Sequence, residues 1–157
     1  MLAATPTLVL VLAWAFAVFD LTPPGADSGV AFDEAALRWV LYLALGWTGV
    51  VSGLMHTVFA RRVASSIGWQ TSGFQYEVGF ANLGIGLGAI YAASQDAPEA
   101  WVAASIAGGT FLLLAAANHV REIAADRNLA PGNTVILLSD FGTPLSLLAL
   151  LIATKAI

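Results

Sequence analysis

The sequence contains no cysteine in 157 residues, which excludes a disulfide framework, a thiolate metal site, a catalytic thiol and a covalently attached c-type haem. Charge is almost as scarce. Asp, Glu, Lys and Arg make up 10% of the chain, where an ordinary soluble domain carries about 25%. Six Lys and Arg stand against ten Asp and Glu, a formal net charge of −4, so the basic surface that nucleic-acid binding requires is missing. There is no Gly-rich phosphate loop with its lysine, no nucleophile elbow, no His-Glu-x-x-His pair and no His-x-Glu deaminase signature. What fills the chain instead is apolar: 59% of residues are hydrophobic and the mean hydropathy is +0.81. Too little polar surface remains to cover a water-soluble particle. The composition reads as a single integral membrane domain over 1–157, with the lipid bilayer as its surroundings.

Gaps between charges mark the crossings. Met1 to Phe19, Trp39 to Ala60, Val78 to Gln95 and Ala100 to Val120 contain no Asp, Glu, Lys or Arg, and Leu129 to Thr154 contains only Asp140. A bilayer core takes about 20 apolar residues per helix, so an all-α bundle of about five transmembrane helices is expected, over roughly 2–19, 38–60, 75–95, 100–120 and 134–154. Breaker-rich connections separate them: Asp20 to Gly29, Gln95-Asp-Ala-Pro98 and Pro131-Gly-Asn133, where Asn133 can cap the following helix. Asp33 or Glu34 suits the first turn of the second span and Glu99 that of the fourth. The first span lacks a basic leader and a small-residue cleavage site, so it reads as a retained helix. Counting Lys and Arg beside the spans puts Arg61, Arg62, Arg121 and Arg127 in the cytoplasm against Arg38 and Lys155 outside. The expected setting is the plasma membrane, with the N-terminus cytoplasmic and the C-terminus outside. Val63 to Tyr76, uncharged but rich in Ser, Gly and Gln, reads either as an interfacial or re-entrant segment or as a cytoplasmic loop.

Ionisable residues inside spans are functional candidates by default. At about 1.5 Å per residue, His56, Glu77, His119 and Asp140 fall on four different spans in one layer near the cytoplasmic side. Small residues share their helix faces: Gly53, Ser52 and Gly49 with His56; Ala81, Gly84 and Gly88 with Glu77; Ala116, Ala115 and Gly108 with His119. These stripes lead us to expect the polar groups to face protein. In the fifth span, Pro144 cannot donate to the Asp140 carbonyl, so Asp140-Phe-Gly-Thr-Pro144 combines a carboxylate with a freed acceptor. His119-x-x-Glu122 reverses the order of the Glu-x-x-His pairs in bundle-core carboxylate metal sites. Together His56, Glu77, His119, Glu122 and Asp140 form a candidate metal set suited to Fe, Mn or Zn, with Gln75, Asn82 and Asn118 positioned to orient ligands or substrate. A b-type haem between His56 and His119 is the variant. The plainer readings are that Glu122 is solvated, that His119 caps a helix C-terminus, and that Asp140 pairs with His56 or Asn82 to hold the bundle. The five Trp read as interfacial anchors, Trp69 among them.

Ile67-Gly-Trp69, Ser72 and Phe74-Gln-x-Glu-Val-Gly-x-Ala-Asn82-Leu, set between His56 and the pair His119 and Asp140, resemble a family of uncharacterised bacterial and archaeal multi-span membrane proteins. Gly73 stands where that pattern often has Pro. The resemblance implies a polytopic membrane protein with this polar signature and no assigned activity. Three functions are then in play: a membrane metalloprotein, a proton-coupled small-solute transporter or channel, and an accessory subunit of a larger membrane complex. Homo-oligomerisation is compatible with each.

Overall fold

The computed structural model of the protein describes residues 2–157, and the regular elements among them are all helical. After a single tight turn at Leu2–Ala4 come six helices: α1 (Thr5–Val18), α2 (Phe32–Val58), α3 (Ala60–Ile67), α4 (Gly73–Ala93), α5 (Pro98–Asp126) and α6 (Pro131–Ala153). The architecture is the all-α bundle that the composition calls for. Proline occupies the first turn of α1, α5 and α6, where its missing N–H has no helical partner to lose. Asp33 and Glu34 open α2 and Glu99 opens α5, as the helix dipole favours.

Helices α2, α5 and α6 are long and apolar enough to cross a membrane; α1 is apolar but has 14 residues. Large apolar side chains such as Val11, Leu114, Leu145 and Leu148 point outward, an exterior that suits lipid and not water. Inside, Leu10 and Ala13 of α1 pack with Leu37, Leu41 and Leu45 of α2, Ala89 of α4, Trp101 of α5, and Leu147 and Leu151 of α6.

Glycine sets the tightest crossing. A Cβ added at Gly49 of α2 would lie 2.9 Å from the Gly86 Cα of α4, and one at Gly86 would lie 2.6 Å from the Val50 nitrogen. The α2 stripe therefore faces protein as expected. On α4 the expectation fails: Gly84 and Gly88 meet nothing within 4 Å, and Glu77, Ala81, Gly84 and Gly88 are all exposed. The helix has two small-residue faces, and the one built on Gly79 and Gly86 takes the partner.

Two local features bear on the site. Within α2, Val40–Trp47 is wound as a π-helix, whose bonds reach one residue further than in an α-helix, and the Thr48 hydroxyl donates to the Leu43 carbonyl at 3.1 Å. The segment of uncertain character resolves into α3, a turn at Gly68 with φ +86°, and the start of α4. Helix α3 turns Val63, Ala64 and Ile67 inward and Arg61 and Arg62 outward. It seats against Gly132, where a Cβ would come within 2.6 Å of the Ser66 carbonyl oxygen.

Candidate functional site

Histidine 119, on the last third of α5, is 8% exposed and is held on three sides. Its ring stacks on Trp69, with centroids 5.9 Å apart and planes 20° from parallel. Its Nδ1 lies 2.6 Å from Asn133 Oδ1. Its Nε2 lies 3.9 Å from Asp140 Oδ2 on α6. Asn133, fully buried, donates through Nδ2 to the Asn128 carbonyl at 2.7 Å and the His119 carbonyl at 3.4 Å. That assignment makes Oδ1 the acceptor, so Nδ1 of His119 carries the hydrogen. In the neutral ring Nε2 is then a lone pair, and it faces a carboxylate oxygen. Two acceptors turned toward one another in a buried site repel unless one of them is protonated, and at 3.9 Å the contact is an ion-pair distance and not a hydrogen bond.

The surrounding residues fix this geometry. Trp69 follows the Gly68 turn, and its Nε1 donates to Glu122 Oε2 at 3.3 Å. Asn128 donates to the Ile67 carbonyl at 2.8 Å and to the same Glu122 oxygen at 3.4 Å. Glu122 is thus neither simply solvated nor a neighbour of Asp140; it holds the tryptophan that covers His119. Asn133 does not cap a helix, because its side chain is spent on His119 and Asn128.

The remaining candidates lie apart. His56, at the end of α2, takes a 2.8 Å hydrogen bond on Nδ1 from Gln75 Nε2. Glu77 is exposed on the outer face of α4. Asn118 is half-buried and has no part in the His119 network. Among the described residues, no group of three or more His, Asp or Glu side chains is placed to hold a metal ion. The five-residue set that depth alone suggested is not assembled: equal depth does not put side chains on facing sides. The two histidines sit in separate hydrogen-bonded settings, His56 with Gln75 and His119 with Asn133.

Asp140 is 5% exposed and also borders a cavity of about 50 Å³ lined by residues of α1, α2, α4, α5 and α6. Five further polar side chains line it: Thr48 and Ser52 of α2, Asn82 of α4, and Ser139 and Thr143 of α6. Leu45, Ile85, Phe111 and Leu112 are among its apolar lining residues. Asn82 lines the same cavity as Asp140, with its own Nδ2 donated to the Val78 carbonyl at 2.9 Å. Sequence reasoning missed Asn133 and Trp69 as partners of His119, and it placed Arg38 in an external flank. Arg38 is 2% exposed, bonded to Glu34 at 2.9 Å and Asp96 at 3.4 Å, and lies 5.0 Å over Trp101. It anchors the opposite end of the bundle, about 27 Å along α5 from His119 at 1.5 Å per residue.

Comparison with known proteins adds a family and no activity. The model of a family of unknown function, DUF6790, matches residues 3–157. No curated protein and no solved structure matches. The chain belongs to the DUF6790 family.

Proposed function

From a family to which no activity is attached, we propose a proton-handling integral membrane protein, in its simplest form a proton-coupled carrier of a small solute. The observation that carries this reading is the facing pair His119 Nε2 and Asp140 Oδ2, 3.9 Å apart, with the His119 tautomer assigned through Asn133. An imidazole nitrogen and a carboxylate oxygen facing one another inside a membrane span are groups through which a proton can pass. The cavity that Asp140 also borders, with five other polar side chains in its lining, is a place where a small polar species would sense that proton. In this reading α1, α2, α4, α5 and α6 make five crossings. The end bearing Arg61, Arg62, Arg121 and Arg127 faces the cytoplasm, as the positive-inside rule favours.

The metalloprotein reading loses support because only His119 and Asp140 of its five residues come together. No observation favours the accessory-subunit reading over this one. Infrared spectroscopy of the purified protein between about pH 5 and pH 9 tests the proposal. A protonated-carboxyl band that rises on acidification, shifts in His119→Gln and is missing from Asp140→Asn is the expected result. If the wild-type protein shows no titrating band that Asp140→Asn removes, the proton-handling reading is wrong.

A further inference from the structure

Helix α3 is eight residues long and two-faced. Ala60, Val63, Ala64 and Ile67 are buried, while Arg61, Arg62 and Ser65 are exposed. The inward face is fixed, because Ser66 closes on Gly132 and the Ile67 carbonyl accepts from Asn128 at 2.8 Å. The two guanidinium groups are therefore held on the outside of the bundle. Neither forms an ion pair among the described residues. No acidic residue occurs between Glu34 and Glu77, and the Glu122 oxygen is already taken by Trp69 and Asn128.

Apolar residues bracket this helix. Val58 and Phe59 just before it, and Phe74 after the Gly68 turn, are 69%, 50% and 75% exposed. A short helix whose outward residues are basic, set between exposed apolar ones, has the pattern of an element at a membrane surface. Arginine presents a planar fork that two phosphate oxygens match, and unpaired basic side chains beside a span attract anionic headgroups. A zwitterionic headgroup carries its own ammonium and gains less from them. We propose that Arg61 and Arg62 bind the phosphate of an anionic phospholipid headgroup in the leaflet that α3 faces.

The headgroup would sit on the element that leads to His119. The Trp69 amide donates to the Ala64 carbonyl at 2.8 Å, so the ring that covers His119 is carried on the C-terminal end of α3. Lipid binding here is nevertheless independent of the proton chemistry, since neither His119 nor Asp140 takes part in it.

Short-chain phosphatidylglycerol titrated into the protein in an uncharged detergent is expected to raise Tm saturably, by about 4 °C at ten times Kd. Short-chain phosphatidylcholine and inorganic phosphate are expected to leave Tm unchanged. Arg61→Gln/Arg62→Gln should weaken the apparent affinity about thirtyfold, at about fivefold per arginine, while Lys155→Gln at the opposite end should not change it. Should the double variant fail to fold, raising sodium chloride from about 0.05 M to about 0.5 M is expected to weaken phosphatidylglycerol binding to the wild-type protein several-fold by screening. An equal rise with phosphatidylcholine, an equal response to inorganic phosphate, an equal loss in Lys155→Gln, or an affinity untouched by the double variant or by salt overturns the headgroup site. The infrared titration decides the proton reading whichever way these measurements fall.

Discussion

Replacing His119 by Gln and Asp140 by Asn, singly and together, measures the pair directly. At the observed 3.9 Å, Coulomb's law with an effective dielectric of about 20 gives an attraction of about 4 kcal/mol between imidazolium and carboxylate. Both side chains are 10% exposed or less, so solvent screening removes little of it. Each single replacement leaves a buried group without its partner, which typically costs about 3–5 kcal/mol. The double replacement removes both charges and should cost less than the two singles combined, by about 2–4 kcal/mol. Reversible unfolding in mixed micelles, followed by circular dichroism, gives the four free energies. A coupling below about 0.5 kcal/mol is what independent sites show. It would mean that His119 and Asp140 do not act as a pair, and the account of the site would fall with it.

Three further outcomes follow from the geometry. Gly86→Ala places a methyl 2.6 Å from backbone at the α2–α4 crossing and should cost about 1–3 kcal/mol. Gly84→Ala on the open face should be neutral or stabilising by up to about 1 kcal/mol, and thermal melts of the two variants check the contrast. Asn133→Leu removes the acceptor that assigns the His119 tautomer and strands the Asn128 carbonyl. It should lower stability by about 1–3 kcal/mol and change the ¹⁵N shifts of the His119 ring, read by NMR. Arg38→Met should be strongly destabilising, since it leaves Glu34 unpaired beside the core, whereas Asp96→Asn, whose carboxylate is 88% exposed, should change Tm by little.

Much of the fold is legible in the residues, for a simple reason. Charges are so few that their spacing outlines the helices, and Pro98, Pro131 and the Asp20–Gly29 stretch mark where the chain turns. His119 and Asp140 stand out because an ionisable group in an apolar run is conspicuous. Pairing is harder to read. Periodicity names the face that holds Glu77, but α4 carries a second face with Gly79 and Gly86, and only the shape of α2 decides between them. Asn133 beside Pro131 has the signature of a cap, and nothing local distinguishes a capping amide from one that reaches 14 residues back to His119. Arg38 looks like a flanking charge until Trp101, 63 positions further along the chain, is folded over it.

The π-wound turns at Val40–Trp47 separate two parts of α2 that serve opposite ends of the molecule: Arg38 with its carboxylates before them, Thr48, Ser52 and His56 after them. In an α-helix each residue advances the face by about 100°. The looser winding therefore sets the angular phase between the arginine anchor and the cavity wall. Tightening this segment to α-helical pitch while Arg38 stays clamped would rotate Thr48 and Ser52 away from Asp140. Winding alone would then change what the carboxylate sees, with no helix leaving its place in the bundle.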